Sequence, residues 1–170
     1  AQIVRDAIEH GVEVRAVDIN HSDYWHVLEA GTPARDRLWD RHAEMYEDIR
    51  SDQAIRLGFS QITGLREDHA NLIVARRGNG YDSVRDLWLR TGLPSAVLEK
   101  LAGADAFGSL GLTRRDALWA IRGLQGTDGA EKLPLFASAG RPARRDEPDA
   151  GLPPMPPGES VVHDYRALSL

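Results

Sequence analysis

Glycines divide residues 64–124 into short segments, and this spacing is the feature that most constrains the fold. Within each segment, apolar residues recur at intervals of three and four, which is the spacing of one helix face. Ser83, Pro94 and Thr113 stand where helices commonly start, and Thr113 has Asp116 three positions later, as in a capping box. The sequence therefore predicts a compact unit of short helices.

The N-terminal third combines a helix with short strands. Residues 2–10 form one apolar stripe, and residues 12–19 alternate largely between apolar and polar side chains. Residues 29–52 are rich in charge and are predicted to form a loop with some helix. Residues 54–62 alternate in part, which predicts a second strand that leads into the helical unit.

The predicted fold class is α+β, with a helix-strand unit over residues 1–57 and an all-helical domain over residues 58–125. Seven of the nine prolines lie between positions 134 and 157, so residues 126–160 are predicted to be a linker. Residues 161–170 are expected to begin the next element. The absence of an initiating methionine and an apparent end within an element suggest a piece of a longer chain.

The formal net charge is −5, but the charges are segregated along the chain. Residues 1–57 carry 7 basic and 12 acidic groups, residues 58–125 carry 9 and 7, and residues 126–170 carry 5 and 7. Nucleic-acid binding by the whole surface is therefore disfavoured, because only the middle is basic. The chain has no cysteine and no apolar run that could span a membrane, so we expect a reducing, cytoplasmic location.

A glycine turn at the start of the helical unit carries the sharpest local signal. Residues 62–73 resemble the helix-hairpin-helix pattern, in which an alanine six residues after the glycine packs inside. A turn without a side chain lets the backbone approach a phosphate, and the unpaired amides of the first helical turn attract it. Arg66 replaces the usual second glycine, and either adds charge or relaxes the geometry. Alternatively, Gly64 merely connects a strand to a helix.

A second copy of the hairpin is predicted at Gly103, 39 positions after Gly64. Two hairpins can hold the phosphates of a duplex across one groove without reading its sequence. Arg114 and Arg115 either contact DNA or form a solvated face, and Lys100 has the same two interpretations. The candidate DNA-binding residues are Thr63, Gly64, Leu65, Arg66, Arg76, Arg77, Lys100, Gly103, Ala104, Arg114 and Arg115.

Longer passages resemble the bacterial C-family DNA polymerases, which comprise the alpha subunit of DNA polymerase III and its error-prone paralogue. Those similar to the end of the family's fingers region are residues 4–7, 10–14 and 17–22. Those similar to its hairpin domain are residues 55–59, 63–65, 82–87, 104–111 and 114–120. The passages 104–107 and 117–119 most resemble the error-prone branch.

The resemblance implies a parent enzyme that performs template-directed nucleotidyl transfer with two metal ions, Mg²⁺ being expected. The carboxylates that hold them are expected upstream, so this chain is predicted to contain no catalytic or metal-binding residue and to be inactive alone. Asp18 and Asp23 are interpreted as turn or surface carboxylates. The implied role is to hold double-stranded primer-template DNA during damage-tolerant synthesis, in replication and repair.

Residues 132–136 resemble the clamp-binding pentapeptide of bacterial polymerases, with Lys132 in place of its glutamine. Leu133, Leu135 and Phe136 are the candidate contacts with a sliding clamp or a polymerase accessory protein, because buried apolar anchors dominate small interfaces. Alternatively, these side chains cover the helical domain. A chain that acts only as a docking module would bind such a partner without salt-dependent DNA affinity.

An enzyme of a different class is the rival interpretation. Some DNA glycosylases use a helix-hairpin-helix and an aspartate that acts on a flipped base. Asp82 and Asp86 follow the glycines at 78 and 80 and are the candidates for this role. The histidines lack the spacing of metal ligands, so no metal site is predicted; they are His10, His21, His26, His42, His69 and His163.

Overall fold

A computed structural model describes residues 2–125 and 155–168 of the chain. The elements are α1 (Gln2–Glu9), β1 (Glu13–Arg15), β2 (Val27–Ala30), 3₁₀ turns at Ala34–Arg37 and Asp40–Met45, β3 (Gln53–Arg56), a 3₁₀ turn at Phe59–Gln61, α2 (Glu67–Arg76), α3 (Val84–Thr91), α4 (Ser95–Gly103), a 3₁₀ turn at Gly108–Leu110, α5 (Arg114–Gln125) and α6 (Pro157–Leu168). A small sheet with several helices confirms the α+β prediction. No helix in the two described ranges is long and apolar enough to cross a membrane.

The sheet has three strands in the order β1-β3-β2. β1 lies parallel to β3, with Val14 opposite Ile55, and β2 lies antiparallel to β3, with Leu28 opposite Ile55. The strand predicted over residues 12–19 is shorter than expected. Its second half leaves the sheet because Val17 and Ile19, at 1% and 0% exposure, pack into the helical core instead.

Strand β2 was not predicted, since part of it lies in the charged region 29–52. The Glu29 carboxylate of β2 accepts hydrogen bonds from Arg15 of β1, at 2.6 Å, and from Arg56 of β3, at 3.0 Å. The Arg56 bonds are the largest cause that lowers the pKa of Glu29 to about 2; desolvation of the carboxylate acts against them, and Arg15 lowers the pKa further. Glu29, one of the charged residues that suggested a loop, therefore links all three strands through its ion pairs.

The predicted helix ends agree with the structure in detail. The Ser83 hydroxyl accepts from the backbone N–H of Asp86 at 3.0 Å, and Gly92 ends α3 with φ +64°. At α5 the Asp116 carboxylate accepts from the Thr113 N–H at 3.1 Å, while the Thr113 hydroxyl accepts from the Asp116 N–H at 3.3 Å. This reciprocal pair is the predicted capping box.

One apolar core runs through both predicted units. Leu57 and Ile19 belong to the same buried cluster as Leu98 and Ile121 of the helices. The backbone N–H of Ile19 donates to the carbonyl of Ala106 at 2.9 Å, which fixes the segment after β1 against the helical part. The boundary proposed at residue 57 therefore separates two kinds of secondary structure that share a single core.

Helix α6 begins at Pro157, before the boundary predicted at residue 161, and returns to the helical domain. Helix α6 packs against α4. Its last residue, Leu168, is 7% exposed and belongs to the common apolar core. The Ala167 carbonyl at its C-terminal end accepts from the Thr63 N–H at 2.8 Å, and the Leu168 carbonyl accepts from the Gln61 side chain at 2.7 Å. Residues 126–154 of the predicted linker and residues 169–170 lie outside the described residues.

Candidate nucleic-acid interface

The Gly64 turn is exposed and has a backbone conformation that favours glycine. Its φ is +72°, in the left-handed region that costs a residue with a side chain about 1 kcal/mol. Ile62 and Leu65, at 3% and 8% exposure, anchor the turn on either side, and the Leu65 N–H donates to the Ile62 carbonyl at 3.1 Å. Leu65, a predicted contact residue, is therefore an anchor of the turn.

The start of α2, next to this turn, has no side-chain cap. Its N-cap residue, Arg66, accepts no N–H with its side chain. The first hydrogen bond of the helix runs from the His69 N–H to the Arg66 carbonyl at 3.1 Å. The N–H groups of Glu67 and Asp68 precede that bond, so they belong to the first-turn donors that an external acceptor can use.

A cation from a different helix lies beside the turn. The exposed Lys100 ammonium of α4 donates to the Gly64 carbonyl oxygen at 2.5 Å. Arg66 is also exposed and pairs with Asp68 at 2.8 Å. The fold thus brings together three sequence-predicted residues, Gly64, Arg66 and Lys100, although Gly64 and Lys100 are 36 positions apart.

Arg76 and Arg77, at the other end of α2, do not join this group. Ten residues of helix separate them from the turn by about 14 Å along the axis. Arg77 is half-buried and donates to the carbonyls of Ile19, at 3.0 Å, and Ser22. Arg77, a predicted DNA contact, thus bonds to the segment after β1, while Arg76 is exposed.

The second turn is centred on Gly111, not on the predicted Gly103. Gly103 is the last residue of α4, and Ala104 after it is 1% exposed. Gly111 has φ +71° and is exposed, and it precedes α5 by three residues, as Gly64 precedes α2. The alanines six residues after the two glycines, Ala70 and Ala117, are both fully buried.

The spacing Gly-Leu-x₄-Ala, present at residues 64–70 and again at 111–117, would have located the second turn from the sequence. The prediction at Gly103 relied instead on its separation of 39 positions from Gly64, in the segment that follows the third helix. That segment ends in a different manner, because Asp105, with φ +58°, takes the left-handed conformation after α4.

The start of α5 is occupied by the protein's own carboxylates. Besides the capping box, Asp105 lies near Arg114, and desolvation raises the pKa of Asp105 despite the nearby Arg114 charge. The Arg114 guanidinium is 7% exposed and pairs with Asp164 of α6. Arg115 pairs with Glu159 of α6 at 3.1 Å. Both predicted DNA contacts thus have partners within the chain.

Asp18, which the sequence placed in a turn, joins the N-terminal segment to the second hairpin. Burial alone would raise its pKa, but hydrogen bonds from His21, Ser109 and Asn20 lower the pKa. The His21 ring nitrogen and the Ser109 N–H each lie 2.8 Å from the carboxylate. Together with Arg77, this contact sets the position of the Gly111 turn relative to α2. No sequence motif signalled the contact.

The residues proposed for glycosylase chemistry have local structural roles. The Asp86 carboxylate pairs with Arg90 at 3.1 Å and accepts from the Asp82 N–H at 3.3 Å, within the capped start of α3. Across residues 2–125 and 155–168, no group of three or more histidine, aspartate or glutamate side chains could hold a metal ion. The predicted clamp contacts, Leu133, Leu135 and Phe136, lie outside the described residues.

Comparison with known proteins supports the hairpin assignment. Residues 11–117 match the family described as helix-hairpin-helix motif. The whole chain is 54% identical to part of error-prone DNA polymerase 1 of Rhizobium meliloti (strain 1021). It is 53% and 49% identical to parts of the error-prone DNA polymerases of Sinorhizobium medicae (strain WSM419) and Mesorhizobium japonicum. The chain spans 15% of the length of each of these relatives.

Proposed function

Because the chain belongs to the helix-hairpin-helix family, we propose that it binds the phosphate backbone of duplex DNA at the Gly64 turn. The observation that carries this proposal is the exposed left-handed turn before an uncapped helix start, with the Lys100 ammonium 2.5 Å from the Gly64 carbonyl. The glycine backbone permits the close approach of a phosphate, and the amides of the first helical turn donate to its oxygens. The helix dipole, Lys100 and Arg66 supply positive potential.

Binding at this surface is independent of base sequence. Backbone amides, Lys100 and Arg66 are groups that contact phosphate oxygens, and such contacts position a duplex without reading its bases. Glu67 and Asp68 at the same helix start limit the local positive charge. We therefore expect weak binding that falls steeply as salt rises, because each neutralised phosphate contributes about 0.9 to the log-log slope.

For the parent protein we propose error-prone DNA polymerase activity, the name that the relatives carry. Nucleotidyl transfer would be performed by Mg²⁺ on carboxylates outside this chain, in the cytoplasm, during damage-tolerant replication and repair. This chain would hold the primer-template duplex.

We also propose that Leu133, Leu135 and Phe136 contact a sliding clamp or an accessory protein, an interaction that Phe136→Ala should abolish.

The test of DNA binding compares two glycines in the same conformation. Gly64→Ala places a methyl group in the turn at φ +72°, 3.2 Å from the Lys100 nitrogen. Gly92→Ala imposes comparable strain at φ +64°, where no atom lies within 4 Å of the new carbon. We expect both variants to lose about 1 kcal/mol of unfolding free energy. In fluorescence anisotropy with a labelled duplex, only Gly64→Ala should bind DNA more weakly, by about tenfold.

A Lys100→Gln variant examines the charge separately. It should weaken binding to duplexes of unrelated sequence alike and lower the salt slope by about 0.9, which corresponds to one lost phosphate contact. The matched control is Arg50→Gln, which also removes one positive charge, at an exposed position 50 residues before Lys100. Equal DNA affinity of Gly64→Ala and Gly92→Ala, with an unchanged slope in Lys100→Gln, would show that the turn is a structural connector.

A further inference from the structure

The start of α5 and the start of α2 follow the same kind of glycine turn but differ in what faces them. At α5, the first two residues are Arg114 and Arg115, which is more positive charge than the first turn of α2 carries. These arginines face α6, which places Asp164 against Arg114 and Glu159 against Arg115. Two carboxylates of one helix therefore stand where the oxygens of a phosphate would be bound.

The fit between α6 and Arg114 is incomplete. A guanidinium has five donors in a planar fork, which a bidentate anion satisfies best. Arg114 is 93% buried, since its exposure is 7%, yet its Nε has no hydrogen-bond partner within the described part of the chain. Asp164 contacts one terminal nitrogen, and the Ser160 carbonyl lies 3.4 Å from the other. A buried donor without a partner can be satisfied by a ligand that offers more acceptor oxygens than the Asp164 carboxylate, such as a phosphate group.

Helix α6 is attached weakly along most of its length. Its single buried residue is Leu168 at the C-terminal end. Val161, Val162 and Tyr165 are 55%, 49% and 62% exposed, so the apolar face of the helix points outward. The side chains of Glu159 and Asp164 are 45% and 48% exposed, so water competes with the arginines for both carboxylates. The N-terminal part of α6 can therefore leave at low cost.

We propose that α6 is an internal competitor of DNA at the second hairpin, and this inference rests on the proposed function. Glu159 and Asp164 occupy Arg114 and Arg115 while no duplex is bound. A duplex held at the Gly64 turn displaces the N-terminal part of α6, and its phosphates take the two arginines. The C-terminal part keeps its bonds from Gln61 and Thr63, so α6 stays tethered beside the first hairpin.

The test neutralises the competitor in the full 170-residue chain. Glu159→Gln with Asp164→Asn removes both charges while preserving side-chain size. Glu44→Gln with Asp48→Asn is the matched control, because it changes the net charge equally at exposed positions far along the chain from α5. In anisotropy titrations, the α6 variant should bind the duplex about threefold to tenfold more tightly than the control. The reason is that phosphates then reach Arg114 and Arg115 without displacing two carboxylates.

A second measurement follows α6 itself. The chain has no cysteine, so Val162→Cys accepts a single nitroxide label on the exposed face of α6. Leu89→Cys, on the exposed face of α3, is the control position. In electron paramagnetic resonance spectra, saturating duplex should increase the mobility of the label at 162 and leave the label at 89 unchanged.

The outcomes separate the two proposals. If neither the unmodified chain nor the α6 variant binds a duplex at low salt, the proposed function is wrong. If binding depends on Gly64 but the α6 variant matches its control and the label at 162 does not respond, DNA binding stands and the competitor is overturned. Tighter binding by the α6 variant together with a mobile label at 162 supports both.

Discussion

At the scale of single residues, the backbone angle decides what each glycine of the hairpins does. Gly64 and Gly111 lie in the left-handed region, at φ +72° and +71°, and each lets the chain turn sharply into a helix three residues later. Gly103 lies outside that region, at the end of α4. The same residue type therefore has a conformational role at two positions, while at the third it is a weak helix former.

The variant Gly103→Ala tests this distinction. No atom lies within 4 Å of a Cβ at residue 103, and alanine favours helix over glycine by up to about 1 kcal/mol, so we expect unchanged or slightly higher stability. Gly111→Ala, also with open space around it, should lose about 1 kcal/mol because of its positive φ. Urea unfolding measures both. A larger loss for Gly103→Ala than for Gly111→Ala would contradict the assignment of the second turn.

At the scale of secondary-structure elements, local signals predicted the helices better than the strands. Ser83, Gly92 and the Thr113 capping box act within a few residues, so their effect is readable from the sequence. Strand β2 depends on partners 14 and 27 positions from Glu29, and no local pattern encodes them. The candidate site divides in the same way, because the Gly64 turn has a motif, whereas the approach of Lys100 depends on the tertiary fold.

The ion pairs of the sheet predict a pH dependence of stability. The pKa of Glu29 is lowered from 4.5 to about 2, so its stabilisation is complete above its ordinary pKa and is lost as the pH falls through about 2. Glu29→Gln should therefore cost about 1–2 kcal/mol at pH 6, after allowance for partial solvent exposure, and progressively less towards pH 2. Urea unfolding across this range measures it, with the exposed Glu44→Gln as a control that should show no such trend. A cost for Glu29→Gln that stays constant with pH would contradict the role assigned to these pairs.

At the scale of the whole molecule, the 18–22 segment joins the sheet to both hairpins. Asp18 accepts the Ser109 N–H at 2.8 Å beside the second turn, while Arg77 at the end of α2 holds the carbonyl of Ile19 at 3.0 Å. The change in composition near residue 57 led to a two-unit prediction, because composition reports secondary structure and not which residues share a core. The N-terminal unit thus fixes the relative position of the two hairpin turns.

The variant Asp18→Asn tests whether this coupling operates. Asp18 is 6% exposed, and replacing one carboxylate oxygen with an NH₂ group places a donor against an existing donor, so we expect a loss of about 1–3 kcal/mol. The stabilisation by Asp18 is present above its ordinary pKa and declines as the pH falls through the lowered value, so the cost should shrink in acid. Asp23→Asn, at the residue that follows this segment and with a side chain 52% exposed, should cost less than about 1 kcal/mol. Hydrogen exchange at Ser109 supplies the specific readout: faster exchange in Asp18→Asn alone indicates that the second turn has been released, whereas equal exchange in both variants would mean that the turn is positioned by the helical core without the N-terminal unit.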